Sequence, residues 1–269
     1  MFVIPFPVFD PVAVAVGPVE IRWYALAYIA GILAGWWYVR RLARAAALWG
    51  DRPRPDIGQV DDAVTWVTLG VIIGGRLGFV LFYAPAYYAE NPLEALMVWR
   101  GGMAFHGGLL GVICAILLFA RFRGASALAL FDLLAAAVPL GLFFGRIANF
   151  INGELWGRVT TVPWAMVFPG AGPEPRHPSQ LYQAGLEGLA LFVILAIAVR
   201  MGALRRPGFA LGLFGAGYGV ARIIGEIFRQ PDAQIGLIGG VFTMGMILSL
   251  PMVLFGGAMI IWSLRRPPA

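Results

Sequence analysis

Long apolar runs alternate with short polar stretches along the whole chain. Seven runs predict membrane-crossing helices, at about 22–40, 61–83, 103–120, 127–148, 180–199, 208–228 and 237–263. A helix of roughly 20 apolar residues matches the thickness of a bilayer's hydrocarbon core. The first 20 residues, MFVIPFPVFDPVAVAVGPVE, break the pattern with Pro5, Pro7, Pro11 and Pro18 and have no basic start. That argues against a cleaved signal peptide and against a full span, so 1–20 reads as an interfacial segment. A polar loop region runs over about 150–178. The chain is therefore expected to be an all-α polytopic membrane protein of about seven transmembrane helices, one integral domain over 1–269.

The basic residues orient these helices. Arg40, Arg41, Arg44, Arg52 and Arg54 follow the first run, Arg121 and Arg123 the third, Arg200, Arg205 and Arg206 the fifth, and Arg265 and Arg266 the last. The other loops carry more Trp, Tyr, Asn and Pro. The positive-inside rule then places the N-terminus outside and the C-terminus in the cytoplasm. Composition agrees with a membrane setting: 60% apolar, 13% charged and a mean hydropathy of +0.80, where soluble domains carry about 25% charge. The net charge of +6 suits anionic membrane lipids as neighbours. One cysteine, Cys114, excludes an intrachain disulfide, and two histidines with one cysteine are too scattered for a structural metal site.

With that orientation, unusual polar residues gather in the outer half. The stretch GRIANFINGELWGR (145–158) is rich in donors. Arg146 and Asn149 lie one helical turn apart, and Asn152, Glu154 and Gly157 follow. Arg146 offers a planar fork suited to a phosphate or carboxylate, so the stretch reads as an anion site at a membrane boundary. Arg222, Glu226 and Arg229 share one face of the sixth run. A charge within a span costs about 2.5–3.5 kcal/mol on insertion scales and so should face protein or water. Arg222 suits the same anion, whereas Glu226 reads first as an ion-pair partner. Tyr24 opens the first run, and Gln180 and Tyr182 open the fifth. His106, in GGMAFHGG, has glycines on both sides that leave the imidazole uncrowded. It is either a proton acceptor, since imidazole titrates near neutral pH, or a packed histidine donating to a carbonyl.

Other polar residues have plainer readings. Arg76 and Asp132 read as buried, paired charges; Glu187 as a partner for an arginine; Cys114 as a packed thiol; His177 as a loop residue before a helix start. Trp156, Trp164 and Phe168 suit an interfacial belt. The GxxxG pairs, including Gly74/Gly78, Gly107/Gly111 and Gly208/Gly212, read as close helix packing.

WYALAY (23–28), FHGGLLG (105–111), GRIANFINGELWGR (145–158), RHPSQLY (176–182) and YGVARIIGEIFRQPD (218–232) together resemble the bacterial prolipoprotein diacylglyceryl transferases, over nearly the whole chain. The resemblance implies an inner-membrane enzyme, active toward the outer leaflet. Its substrates would be phosphatidylglycerol and a preprolipoprotein signal peptide with its lipobox cysteine. The diacylglyceryl group would pass to the cysteine thiol as a thioether, glycerol phosphate leaving, in the first step of lipoprotein maturation. No metal, soluble cofactor or nucleic acid is implied. In that chemistry Arg146 and Arg222 would hold the phosphate and Asn149 and Asn152 support it. His106 would accept the thiol proton, Tyr24 and Glu154 orient groups, and Gly157 permit close approach. Gln180, Tyr182, Glu226 and Arg229 complete the candidate substrate-binding set. Two other classes fit parts of the pattern. A lipid transporter would continue its polar residues to the inner face, and a scaffold gives no reason for the donors at 145–158.

Overall fold

The structure is a computed structural model that describes residues 4–7, 9–17, 19–231 and 236–268. Of the interfacial segment proposed from sequence, residues 1–3, Val8 and Pro18 lie outside the described residues, as does Asp232 of the last motif. Nine α-helices are described: α1 Trp23–Arg44, α2 Ile57–Phe82, α3 Pro85–Glu90, α4 Phe105–Arg123, α5 Ala127–Ile151, α6 Ser179–Gln183, α7 Leu191–Arg200, α8 Phe209–Phe228 and α9 Met244–Leu264. A wide π-turn segment, Ala184–Ala190, joins α6 to α7. Six helices are long and apolar enough to cross a membrane, the α6–α7 stretch counting as one; they correspond to the second through seventh predicted runs. The first run forms α1, 22 residues long.

The fold is not purely helical. β2 (Val12–Val16) and β3 (Val19–Arg22) pair antiparallel. β1 (Ile4–Pro5) pairs in parallel with β4 (Met166–Val167) of the long loop. The prolines that kept a helix out of the first 20 residues leave extended backbone free to pair, and the VAVAV stretch is rich in β-branched residues.

By contacts the chain divides into two units. The second comprises 40–46 and 52–131. Within it α2 and α4 cross so closely that a Cβ on Gly78 would lie 2.8 Å from the Cα of Gly107, which is why small residues recur on both helices. Asp56 caps α2 in a reciprocal capping box with Gln59, starting the helix earlier than hydropathy alone predicts. Arg40 pairs with Asp61 at 3.1 Å, and Arg123 with Asp62. Arg76 is 4% exposed and its partners differ from the expected carboxylate. It donates to the carbonyls of Ala95 (2.8 Å), Glu94 (2.6 Å), Gly101 (2.5 Å) and Gly102 (3.2 Å) and lies over the Tyr88 ring. It thereby ties down the connection between α2 and α4. Cys114 is exposed on α4 rather than packed.

The first unit comprises 1–39, 47–51 and 132–269. A Cβ on Gly31 of α1 would lie 3.0 Å from Gly141 Cα of α5, and one on Gly212 of α8 would lie 2.9 Å from the Gly256 carbonyl of α9. Asp132 is fully buried and caps a helix. Its carboxylate accepts from the backbone N–H groups of Gly208 (2.8 Å) and Leu211 (2.9 Å) at the start of α8, where the helix leaves donors unsatisfied and negative charge is favoured. At the same end of the unit Arg205 donates to the Ala47 carbonyl and Arg206 to the Arg266 carbonyl. α9 begins at Met244, several residues after the predicted 237. Gly239 and Gly240 hold positive φ, Ile238 bridges Phe242, and Thr243 caps the helix by accepting from Met246 N–H.

Candidate functional site

Polar side chains of α5, the π-turn segment and α8 meet inside the first unit. Arg146, near the end of α5, donates from Nε (3.1 Å) and Nη2 (2.9 Å) to Oε2 of Glu187. Glu187 is fully buried and Arg146 is 14% exposed by side chain. The other Glu187 oxygen, Oε1, lies 3.5 Å from Arg222 Nη1. Arg222 in turn reaches Glu226 at 2.8 Å, and Glu226 lies 3.5 Å from Arg229. Three guanidinium groups thus share two carboxylates along this chain of pairs. A span can carry such charges only because each faces another. Arg146 Nη1 makes no hydrogen bond among the described residues, so the fork keeps a donor in hand.

The segment that follows α5 folds back on itself. Glu154 accepts from Asn149 Nδ2 (2.8 Å) and Asn152 Nδ2 (3.5 Å). Both asparagine donors expected to face a phosphate are therefore turned to an internal carboxylate. Gly153 (φ +65) and Leu155 (φ +57) take left-handed backbone, an uncommon state for leucine. Gln180, fully buried, donates from Nε2 to the Glu154 carbonyl (2.5 Å), and Ser179 Oγ donates to the Leu155 carbonyl (2.9 Å). Gly157 gives its N–H to the His177 carbonyl (2.9 Å), and Arg158 gives its N–H to the Phe228 carbonyl (2.8 Å). A Cβ on Gly157 would lie 2.5 Å from the His177 oxygen and 2.7 Å from the Phe228 oxygen. The close approach that Gly157 permits is thus that of the chain's own backbone.

Tyr182 sits in the fastening of this loop. Its hydroxyl accepts from Trp164 Nε1 (2.6 Å) and lies 3.1 Å from His177 Nδ1, while its ring and that of His177 pack on Phe228. Burial holds the His177 imidazole below its ordinary range, which favours the neutral ring as acceptor of the Tyr182 proton. Arg176 adds bonds to the Gly157 carbonyl, the Ala171 carbonyl and Gln230. Trp164 is exposed, as an interfacial residue would be, and Trp156 half-buried. Phe168 is instead 1% exposed, packed against Phe6 and Phe150. Tyr24, half-buried at the start of α1, has its hydroxyl 3.4 Å from that of exposed Tyr28.

The first unit therefore brings together Arg146, Asn149, Asn152, Glu154, Gly157, Gln180, Tyr182, Arg222, Glu226 and Arg229. His106 belongs to the second unit, on the first turn of α4. Its side chain is exposed, and its ring stands edge-to-face with Phe105, centroids 5.5 Å apart. Of its flanking glycines, Gly107 serves the α2–α4 contact. Three residues of the cluster stand outside the sequence-derived site. Glu187 bridges the two arginines. Gln183 is fully buried, with neither amide atom hydrogen-bonded among the described residues. Tyr218 lies within electrostatic range of Glu187, Arg222 and Arg146. The spacing Gln183/Glu187 and Tyr218/Arg222, each i to i+4, is a signal that they share helix faces with the charged residues. An orphaned buried amide costs about 1–3 kcal/mol, so the arrangement of Gln183 is held by its surroundings.

The sequence profile of the family described as prolipoprotein diacylglyceryl transferase matches residues 11–262. Among curated proteins named phosphatidylglycerol–prolipoprotein diacylglyceryl transferase, one from Methylocella silvestris is 57% identical over 98% of this chain and 97% of its own. One from Beijerinckia indica is 60% identical over 95% and 94%, and one from Rhodopseudomonas palustris 57% over 98% and 93%. With identity at this level running through all the elements that build the cluster, the chain belongs to the prolipoprotein diacylglyceryl transferase family.

Proposed function

We propose that the chain transfers the diacylglyceryl group of phosphatidylglycerol to the lipobox cysteine of a prolipoprotein at the cluster around Arg146 and Arg222. The thiolate sulfur attacks the carbon of the diacylglyceryl group that is bonded to the phosphate oxygen. A carbon–sulfur bond forms, the carbon–oxygen bond breaks, and its electron pair leaves with glycerol phosphate. The observation that carries this reading is the Arg146–Glu187–Arg222 bridge. It holds two guanidinium groups on one carboxylate, in a protein interior where a departing phosphate's charge gains most from fixed cations. Arg146 Nη1 receives the phosphate first, and Arg222 turns from Glu187 to meet it. Glu154, held by Asn149 and Asn152, keeps the end of α5 in shape beneath the headgroup. Tyr24 orients the lipid, and Gln180, Tyr182, Gly157, Glu226 and Arg229 keep the loop and arginines in place. The thiol itself is a poor nucleophile until ionised, and His106 is the base expected from the sequence.

The same reading counts α1 as a seventh span, with the N-terminus outside and the site toward the outer leaflet of the bacterial inner membrane. The gathering of Arg205, Arg206 and Arg266 at the Asp132 end of the first unit, away from Arg146, supports that polarity.

The test is direct. Purified protein is mixed with phosphatidylglycerol and a lipobox peptide, and glycerol phosphate release and peptide mass are followed. Both signals should appear, and neither with a Cys→Ser peptide. Arg146→Ala should abolish transfer and Arg146→Lys should restore little of it, because an ammonium cannot reproduce the fork. Near-full rate in His106→Gln would remove His106 as the base.

A further inference from the structure

Arg76 is a buried arginine inside a span, and among the described residues it donates to four backbone carbonyls and to no carboxylate. An arginine within a span is costly, so what those bonds hold in place matters. Two of the four carbonyls, those of Gly101 and Gly102, belong to the residues that lead into α4. A Cβ on Gly102 would lie 2.6 Å from the Phe79 ring and 3.0 Å from Arg76 Nη1, and one on Gly75 would lie 2.7 Å from Met103 Cε. Ala104 then gives its N–H to the Gly75 carbonyl at 2.9 Å. Residues 101–104 are thus fastened to α2 all along their length.

The start of α4 depends on that fastening. Its N-cap residue, Ala104, makes no side-chain capping bond, and alanine is a poor N-cap. His106 is the second residue of the helix. Its imidazole is exposed and makes no hydrogen bond among the described residues, only the edge contact with Phe105. The ring therefore stands where the backbone of the first turn puts it. We infer that Arg76 is a positioning residue for the transfer reaction: by gripping the lead-in to α4 it fixes His106 where the thiol proton is taken. The inference rests on the reading of His106 as the base. The proton would pass from the cysteine sulfur to an imidazole nitrogen, and Arg76, spent on backbone carbonyls, would touch neither. A misplacement of about 1 Å at such a group can cost about 100-fold in rate.

The experiment gives the reconstituted full chain phosphatidylglycerol and two lipobox peptides, one with cysteine and one with selenocysteine, under reducing conditions. A selenol is ionised at neutral pH and needs no base, whereas the thiol does. Arg76→Met should lose about 100-fold in kcat/KM on the cysteine peptide and no more than about 3-fold on the selenocysteine peptide. A loss of the same size on both peptides, or on neither, overturns the inference, because a merely loosened connection does not distinguish the two nucleophiles. Arg76→Lys keeps the cation but not the fork, and carries the same comparison if the Met variant does not fold. In the Lys variant the ring signals of His106 should shift in histidine-labelled protein while those of His177, the chain's other histidine, stay in place; an unmoved His106 counts against the inference. His106→Gln, run alongside, separates the two readings. It should show the same asymmetry between peptides. An equal loss on both, or none on the cysteine peptide, sinks the base reading and the inference with it. The asymmetry in His106→Gln without its counterpart in the Arg76 variants sinks the inference alone.

Discussion

Glu187→Gln leaves the shape of the cluster almost unchanged and removes one buried negative charge. At an effective dielectric of about 20, unit charges about 4 Å apart attract by about 4 kcal/mol. Removing one partner of a buried pair costs about 3–5 kcal/mol, because the other charge stays behind. Arg222 keeps Glu226 at 2.8 Å, so the loss falls on Arg146, whose Nε and Nη2 both point at Glu187 Oε2. The glutamine carbonyl retains one neutral acceptor, which places the expected destabilisation near the low end, about 3 kcal/mol. Unfolding of the purified protein in detergent micelles measures it, together with Arg146→Met and the double variant. Two neutral residues should recover much of the loss, giving a coupling of about 2 kcal/mol between the sites. A Glu187→Gln protein within about 0.5 kcal/mol of wild type, or a coupling below that figure, would refute the idea that this carboxylate carries the arginines.

Three further outcomes follow from other contacts. Gly157→Ala should cost about 1–3 kcal/mol and raise proteolysis within 158–178, since its Cβ would enter the contact with His177 and Phe228; a stable, resistant variant would contradict this. Asp132→Ala strips two acceptors from the start of α8 and should cost about 2–3 kcal/mol, with faster hydrogen exchange at Gly208 and Leu211. In the second unit the Tyr87 hydroxyl, then Arg100, holds the Glu94 carboxyl below its ordinary range. The depressed carboxylate stabilises the 83–104 connection above the normal glutamate range and ceases to as pH falls through its lowered value. Tyr87→Phe should shift that acid loosening, followed by hydrogen exchange, to higher pH; an unmoved transition would show that the Tyr87 bond contributes nothing.

Hydropathy located the spanning helices within a few residues, because apolar length is what a bilayer demands and nothing local competes with it. It erred at α9, where Gly239, Gly240 and Thr243 hold a turn that is as apolar as the helix after it. It also missed the short β pairs, since period-two signals over two to five residues are weak against a membrane background. Within the site, Arg146 and Arg222 stood out because an arginine inside a span needs a reason. Glu187 reads from sequence as a partner for an arginine, which it is, but not as the partner of both. Glu187 lies 41 residues from Arg146 in sequence, and which carboxylate meets which cation is decided by helix packing that one sequence does not display. The π-turn segment at 184–190 is likewise silent, as AGLEGLA has the composition of any helix. Asn149, Asn152 and Gly157 were found by residue type, but their partners proved to be the protein itself.

Asp132 does more for α8 than close its first turn. Asp132 and Arg146 stand fourteen residues apart on α5, and Gly208 and Arg222 fourteen apart at and along α8. Asp132 grips the start of α8 directly, and Arg146 grips it again through Glu187. The two helices run like rails joined by rungs about 21 Å apart at 1.5 Å per residue. Such a frame is a gauge. It sets the height of Arg222 in the membrane by counting residues from a carboxylate four turns away. One residue inserted between Asp132 and Arg146 would move the upper rung by about 1.5 Å and swing it by about 100° while the lower rung stayed closed. The length of α5, and not only the identity of its last arginine, is thus part of what places the positive charge.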